Sequence, residues 1–512
     1  GPVIRESADM LRRSLAGLSE KYRRRNISIA EVDEAENIPD ASVVFSLGDN
    51  ALTRKYRHRL PYKRLNSRPQ GYFIHAPEPE KTIVVVAGNE PVGSYYGVTT
   101  LVQLLDAENL RYHHASIVDY PDMKRRGVYW QAGNSHSENI TFLARQRFNR
   151  ILIKAREHHR GSLRRHISQL GDASLQGELF GPGVSLQPRW PESMDPDDRS
   201  GAVATEEAVY RMVDYARDHH FKNVVLRMDQ IKGEGKDSCL PEIKENVGYN
   251  HYRNLLDVHS GLVRNISEKT GGDLEIAYMP FWHNNRCIIQ SHGRGELFLK
   301  EFFRKVPPDV DLLWSGPVEH PLLIDPAETA YIRKLTGKNP VFFSQQLHPF
   351  SRQTFLNAYP GKARMSSLFG HFVVQLPDDL TAPQAAGMYG SLAPAGALDR
   401  IRAKTLSSGM WNAGRYNPDR TLIKVLVSQY GHSAAMDLLR LNEAYFGLRE
   451  MFGKIRSKET KAKFVRSAEN FKNQVDELIS RLKPRLEDTE LWPAIEQFEQ
   501  QAETWFQAIA SQ

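Results

Sequence analysis

The stretch "TEEAVYRMVDYARDHHFKNVVLRMDQ" (residues 205–230) reads as a helix and then a strand. Val209, Met212, Val213 and Ala216 recur at the three- and four-residue spacing of one helix face. "NVVLRM" (223–228) is a short apolar run that ends at Asp229 and Gln230. "HYRNLLDVHSGLVRNISEKT" (251–270) then restores helical spacing, and "LEIAYMPF" (274–281) returns to a strand.

Outward from this unit the alternation continues. The other strand-like runs are "RRGVYW" (125–130), "FNRILIK" (148–154), "ELFGPGVSL" (178–186), "VDLLWSG" (310–316), "PVFFSQ" (340–345) and "HFVVQLP" (371–377). Strands that alternate with helices imply a parallel sheet. Eight such units predict an α/β protein built on a (β/α)8 TIM barrel over residues 123–395.

Residues 1–122 read as a small α/β accessory domain, with a helix over 6–22 and strands in "ASVVFSLG" (41–48), "GYFIHA" (71–76) and "KTIVVVAG" (81–88). From 396 to 512 strand patterns vanish. Leu, Phe and Met recur at helical spacing, which predicts a C-terminal helical bundle. A chain of 512 residues fits this division into about two to four domains.

Composition narrows the function. Hydrophobic residues make up 40% and charged residues 25%, as in ordinary globular proteins. No apolar run approaches a membrane span. Gly1-Pro2 has the look of a tag-removal scar. A signal peptide lost with it would place the protein in the periplasm or outside the cell, and otherwise the cytoplasm is expected. The net charge of +7 weakly favours anionic partners, but the basic residues are scattered along the chain. No nucleic-acid-binding pattern is present, so none is expected as a partner. Adjacent histidines such as His158–His159 and His219–His220 point apart in a helix or strand, and no metal or other cofactor is expected. Cys239 and Cys287 follow neighbouring strands, which places them close enough for a disulfide.

Function in such a barrel sits where strands end at their C-termini. There the chain offers Trp130 and Asn134, then Lys154 and Arg156, then Arg189. Further on come Asp229 and Gln230, Trp282 and His283, Trp314, Gln345 and Gln375. A mouth of tryptophans, amides and cations suits sugar rings and their hydroxyls, so an oligosaccharide or polysaccharide is the expected partner. Lys154, Arg156, Arg189 and Lys232 point to an anionic one. Val225, Arg227 and Asp229 share one strand face. An arginine so close lowers a carboxyl pKa, which suits Asp229 to accepting hydrogen bonds or stabilising charge. A glycosidase uses a second carboxylate. Glu157, Glu319, Asp378 and Asp379 lie at strand ends, and Glu319 and Asp378 are the preferred candidates.

"AGNEPVGSYYGVTTLVQLL" (87–105) and "IVDYPDMKRRGVYW" (117–130) resemble the accessory-to-barrel junction of glycoside hydrolase family 84, which contains β-N-acetylglucosaminidases and O-GlcNAcases. "LRMDQI" (226–231) falls where that family carries two adjacent aspartates, and "LLWSGP" (312–317) is similar to its Trp-Thr-Gly motif. The resemblance implies hydrolysis assisted by the substrate's acetamido group. Asp229 matches the aspartate that orients the group, and Gln230 stands where the family has its general acid. Arg156 falls near the family's lysine, His283 near its tyrosine and Gln345 near its asparagine. Phe350 lies where a later sugar-binding aspartate is expected, and "RGVYWQAGN" (126–134) lacks the Glu-Gly-x-Tyr-Gly pattern. Three readings follow: a hydrolase of an amino-sugar or uronic acid-containing glycan, a non-catalytic glycan binder on the same scaffold, and an α-glucuronidase-like enzyme.

Overall fold

The computed structural model describes residues 2–21, 43–78, 82–106, 111–112, 116–130, 137–155, 181–186, 200–218, 221–228, 249–291, 293–316, 326–344, 385–391, 396–454 and 458–511. The N-terminal part holds helix α1 (Pro2–Lys21) and strand β1 (Val44–Leu47). Helix α2 (Ala51–Lys55), β2 (Tyr72–His75), β3 (Ile83–Gly88) and α3 (Pro91–Leu104) follow. The minimal hairpin β4 (Leu105–Asp106) and β5 (Arg111–Tyr112) precedes β6 (Ile117–Asp119). Four strands form a mixed sheet in the order β1-β3-β2-β6. Side chains alternate across it. Tyr72, Ile74, Val84 and Val86 join the core shared with α1 and α3, whereas Phe73, Val85 and Ala87 enter a second cluster on the other face. Gly93 and Gly97 let α3 lie close to the sheet: a Cβ on Gly93 would stand 2.3 Å from the Gly71 carbonyl oxygen, and one on Gly97 2.6 Å from Val86.

Eight parallel strands then close a barrel: β7 (Arg125–Trp130), β8 (Arg150–Ala155), β9 (Gly181–Leu186), β10 (Asn223–Arg227), β11 (Glu275–Met279), β12 (Asp311–Trp314), β13 (Val341–Ser344) and β14 (Gly387–Ser391). The described helices around it are α4 (Ser137–Arg145), α5 (Ser200–Asp218), α6 (Tyr249–Thr270), α7 (Asn285–Gln290), α8 (Arg294–Lys305) and α9 (Pro326–Thr336). The fold is the expected (β/α)8 barrel with an α/β accessory part and C-terminal helices. One strand differs from the sequence reading. The eighth is "GMYGS" at 387–391, and residues 371–377 lie outside the described residues.

The barrel interior explains why that strand reads weakly. Tyr129, Leu152, Val225, Ala277, Met279, Leu313, Val341, Phe343 and Tyr389 fill it as one cluster. Tyr389 needs space that its neighbours must surrender. A Cβ on Gly127 would fall 2.0 Å from the Tyr389 ring, and one on Gly387 2.4 Å from the Arg125 carbonyl oxygen. Gly387 of β14 is thus required by its close approach to Arg125, and a strand with glycine there carries a weak hydrophobic signal. At the N-terminal end an ion-pair network closes the barrel: Arg125 lies 2.7 Å from Asp311, and Arg150 lies 3.1 Å from Glu275.

Helix α10 (Ala397–Trp411) links barrel and bundle. Its Ala403, Leu406, Met410 and Trp411 belong to the barrel-side core, and its Ala397 and Ile401 to the bundle core. Helices α11 (Pro418–Tyr430), α12 (His432–Lys454), α13 (Lys458–Leu486) and α14 (Trp492–Ala510) complete the bundle. Asp437, 2% exposed, is held by Arg481 at 2.5 Å and Arg485 at 3.1 Å.

Two outcomes follow from this packing. Gly127→Ala should lower stability by about 2–3 kcal/mol through overpacking. In a Tyr389→Leu background the same change should cost much less, and a denaturant double-mutant cycle showing additive effects would contradict the contact. His259 is enclosed against Tyr278, with Nδ1 2.7 Å from the hydroxyl. Burial pushes its pKa down to about 3, so the folded ring stays neutral where the unfolded one takes up a proton. Its stabilising effect is complete above about pH 6.5 and is lost as pH falls towards 3, with a slope of up to about 1.4 kcal/mol per pH unit. His259→Gln should flatten stability against pH in that window, as measured by urea midpoints.

Candidate active site

The C-terminal rim of the barrel is built from strand ends that continue pairing beyond the regular ladder. The Met228 amide donates to the Met279 carbonyl at 2.9 Å, and that of Ser315 to the His283 carbonyl at 2.8 Å. The Asn285 amide donates to the Gly316 carbonyl at 3.1 Å. These bonds fix the segments after β11 and β12 side by side. Asn284 then caps α7, its Oδ1 accepting from the Cys287 amide at 2.8 Å. That bond turns the carboxamide so that its Nδ2 has no partner.

Further buried polar atoms share this condition. Ser315 Oγ after β12 and Ser185 Oγ on β9 are wholly enclosed and make no hydrogen bond. A buried polar group left unsatisfied costs about 1–3 kcal/mol, and native proteins tolerate few without water or ligand. Ser185 faces Val225 of β10 and Lys154 of β8 in register. Arg227, two residues further along β10, is 2% exposed. Its guanidinium lies over the rings of Phe343 at 5.1 Å and Tyr129 at 5.7 Å, and donates to the Tyr129 hydroxyl at 3.4 Å. The rim thus combines a buried cation, two hydroxyls and an amide donor, groups suited to a hydroxyl- or carbonyl-bearing ligand.

Two of the tryptophans expected at the mouth, Trp282 and Trp314, are not platforms there. Leu313 points into the barrel, so Trp314 points outward, where its Nε1 donates to Glu328 Oε1 at 2.9 Å. Trp282 packs on Phe298 with ring centroids 5.3 Å apart, in the space left by Gly295. Both indoles are at most 2% exposed and serve as wall between barrel and helices. His283 stands at the expected strand end but is enclosed, its Nδ1 2.9 Å from the Phe281 carbonyl oxygen. Trp130 closes β7 and Lys154 lies next to last on β8. Asn134, Arg156, Arg189, Asp229, Gln230, Glu319, Gln345, Gln375 and Asp378 lie outside the described residues. Gln375 and Asp378 also precede the eighth strand of the barrel in the chain, whereas the sequence reading put them after it.

Ser185 escaped that reading because a lone serine among glycines carries no pattern. Its signal is the alternation Gly181, Gly183, Ser185, which gives three small residues one face. A cavity of about 510 Å³ lies outside the barrel wall, among α7, α8 and α9, between Ile288, Glu296, Glu328 and Tyr331. It sits on the helix side of Trp314 and not over the barrel interior. Among the described residues no group of three or more His, Cys, Asp or Glu side chains could hold a metal ion. No described helix is long and apolar enough to cross a membrane.

Cys287 in α7 is disulfide-bonded, and the chain's other cysteine, Cys239, lies outside the described residues. Thiol titration of denatured, unreduced protein should therefore find no free thiol, and about two after reduction. Two thiols without reductant would contradict the bond.

No family model matches the sequence. Solved structures do share its fold. The structure of CpGH84D aligns with a TM-score of 0.62 at 13% identity over 98% of this chain and 84% of that one. The structure of CpGH84B aligns at 0.58 and 13% identity over 87% of this chain and 80% of that one. A mutant of the Thermobaculum terrenum O-GlcNAc hydrolase aligns at 0.50 and 13% identity over 76% of this chain and 84% of that one. At such identity the likeness concerns the fold alone.

Proposed function

We propose that this protein hydrolyses an amino-sugar or uronic acid-containing glycan at the C-terminal mouth of its barrel. The observation that carries the reading is the set of enclosed, unsatisfied polar atoms of Ser185, Asn284 and Ser315 on the rim of a hydrolase-type barrel. A bound glycan would supply the missing hydrogen-bond partners. Asp229 is the proposed carboxylate that orients the reacting group, two residues beyond the buried Arg227. Glu319 is the first candidate for the second carboxylate and Asp378 the next. Trp130, Asn134, Lys154, Arg156, Arg189, Gln230, Gln345 and Gln375 remain proposed substrate contacts, and the accessory, barrel and helical parts are proposed to divide near residues 122 and 395. A second reading, a glycan binder without turnover, draws on Gln230, because a carboxamide cannot protonate a leaving oxygen.

Fluorogenic N-acetylglucosaminides and uronides test both. Turnover of either class should fall about a hundredfold or more in Asp229→Asn. Ser315→Ala should raise KM more than it lowers kcat, as expected for a positioning contact. Gln230→Asp should raise hexosaminidase activity if the second aspartate was replaced. Glycan binding without any turnover, unchanged by Gln230→Asp, would favour the binder.

A further inference from the structure

Between β1 and β2 the chain makes an excursion over residues 51–70 that contains Arg54, Lys55, Arg57, Arg59, Lys63, Arg64, Arg68 and His58 but no Asp or Glu. Its seven Lys and Arg side chains equal the net charge of +7 of the whole chain. The sequence already places these cations together, and the fold gives them one outward face. Tyr56, Leu60 and Leu65, with the partly buried Leu52 and Tyr62, anchor the excursion on Phe73, Val85 and Ala87 of the accessory sheet. The residues between those anchors turn outward, and all eight basic side chains are exposed. The excursion is thus a layer that is apolar beneath and cationic above, on the sheet face opposite α1 and α3.

Carboxylates neutralise only its margins. Arg59 lies 2.8 Å from Glu78 and Arg54 3.9 Å from Asp49. Among the described residues, Lys55, Arg57, Lys63 and Arg64 form no ion pair with a carboxylate, and Asp122 acts on Arg68 only from beyond ion-pair distance. Exposed like charges held this close repel one another and lower stability unless a partner neutralises them. We propose that this layer is a docking surface for an anionic polysaccharide, one whose carboxylates or sulfates meet the arginine forks.

The aromatic groups favour a glycan over single-stranded nucleic acid. Base stacking needs open ring faces. Here the Arg57 guanidinium covers Tyr62 at 4.8 Å and that of Arg68 covers Tyr120 at 4.4 Å. Tyr62 also meets Phe73 edge-on at 4.9 Å. The rings thereby orient guanidinium groups towards solvent instead of offering platforms. The preference for a glycan rests in part on the proposed function, and the surface itself does not.

The test is fluorescence anisotropy of the full chain with a labelled oligogalacturonate and with a single-stranded DNA of equal charge, at about 50 and 200 mM salt. The oligogalacturonate should bind, more weakly at the higher salt. Lys63→Glu/Arg64→Glu alters two exposed side chains that anchor nothing, and it should weaken binding about tenfold or more with an unchanged melting temperature. Lys55→Ser/Arg68→Ser should weaken it in the same direction, as a check by neutralisation alone. No binding at low salt, wild-type affinity in both variants, or tighter binding of the DNA would overturn the proposal. Turnover of small aryl glycosides by the unaltered protein reports separately on the barrel. Patch-dependent binding without turnover would sink the hydrolase reading and leave this one standing. Turnover without binding would do the reverse.

Discussion

The structure depends on one buried guanidinium, that of Arg126. It leaves β7 outward at the base of the barrel and is wholly enclosed. Its Nε donates to the Arg147 carbonyl at 2.9 Å, its Nη1 to the Met123 carbonyl at 2.9 Å and its Nη2 to Gln70 Oε1 at 2.6 Å. The group lies over the rings of Trp411 at 5.0 Å and Tyr96 at 5.6 Å. One side chain of the barrel thus reaches the accessory sheet, its helix α3 and the end of α10. Burial lowers its pKa to about 10, which still leaves it charged at neutral pH. A charge in such a place is tolerated only when its donors are met and aromatic faces surround it, and removing any one partner would leave the rest exposed to the full desolvation cost.

Arg147 repeats the arrangement at a second point. It lies over Trp411 at 4.6 Å, donates to Thr100 and Tyr72, and stands 4.0 Å from Asp119. Asp119 in turn accepts from Trp411 Nε1 at 2.7 Å and from the Tyr72 hydroxyl at 3.0 Å. Polar groups from three parts of the chain satisfy one another, and the parts are held in one geometry. The cationic excursion packs on the accessory sheet, which these contacts tie to the base of the barrel.

The two ends of the barrel divide the work of stability and function. At the base, Arg125, Arg150, Glu275 and Asp311 pair among themselves. In the middle, Gly127 and Gly387 make room for Tyr389 and Arg125. At the rim the Ser315 hydroxyl and Asn284 Nδ2, and level with Val225 the Ser185 hydroxyl, have no hydrogen-bond partner. Other buried polar atoms without a hydrogen-bond partner lie elsewhere, among them Asn254 Nδ2, Asn339 Oδ1 and Gln429 Oε1, and those near the rim stand out only because a ligand is proposed to bind there.

The sequence by itself determined the barrel, seven of its strands and the helical C-terminus, because apolar spacing reports which faces must leave water. It also marked Arg227 and the strand ends, since a charge that closes an apolar run stands out. The eighth strand was hidden, for Gly387 answers to Arg125 on the neighbouring strand β7, a contact that only the closed barrel makes. Trp314 was misplaced for a related reason. Whether Trp314 faces the mouth or the wall depends on the phase of one strand, and Leu313 takes the inward position. Tertiary structure alone decided which buried polar atoms lack partners, and that Tyr56, Leu60 and Leu65 seat the basic segment on the accessory sheet with its cations outward. Both depend on contacts between residues distant in the chain, which local spacing does not encode.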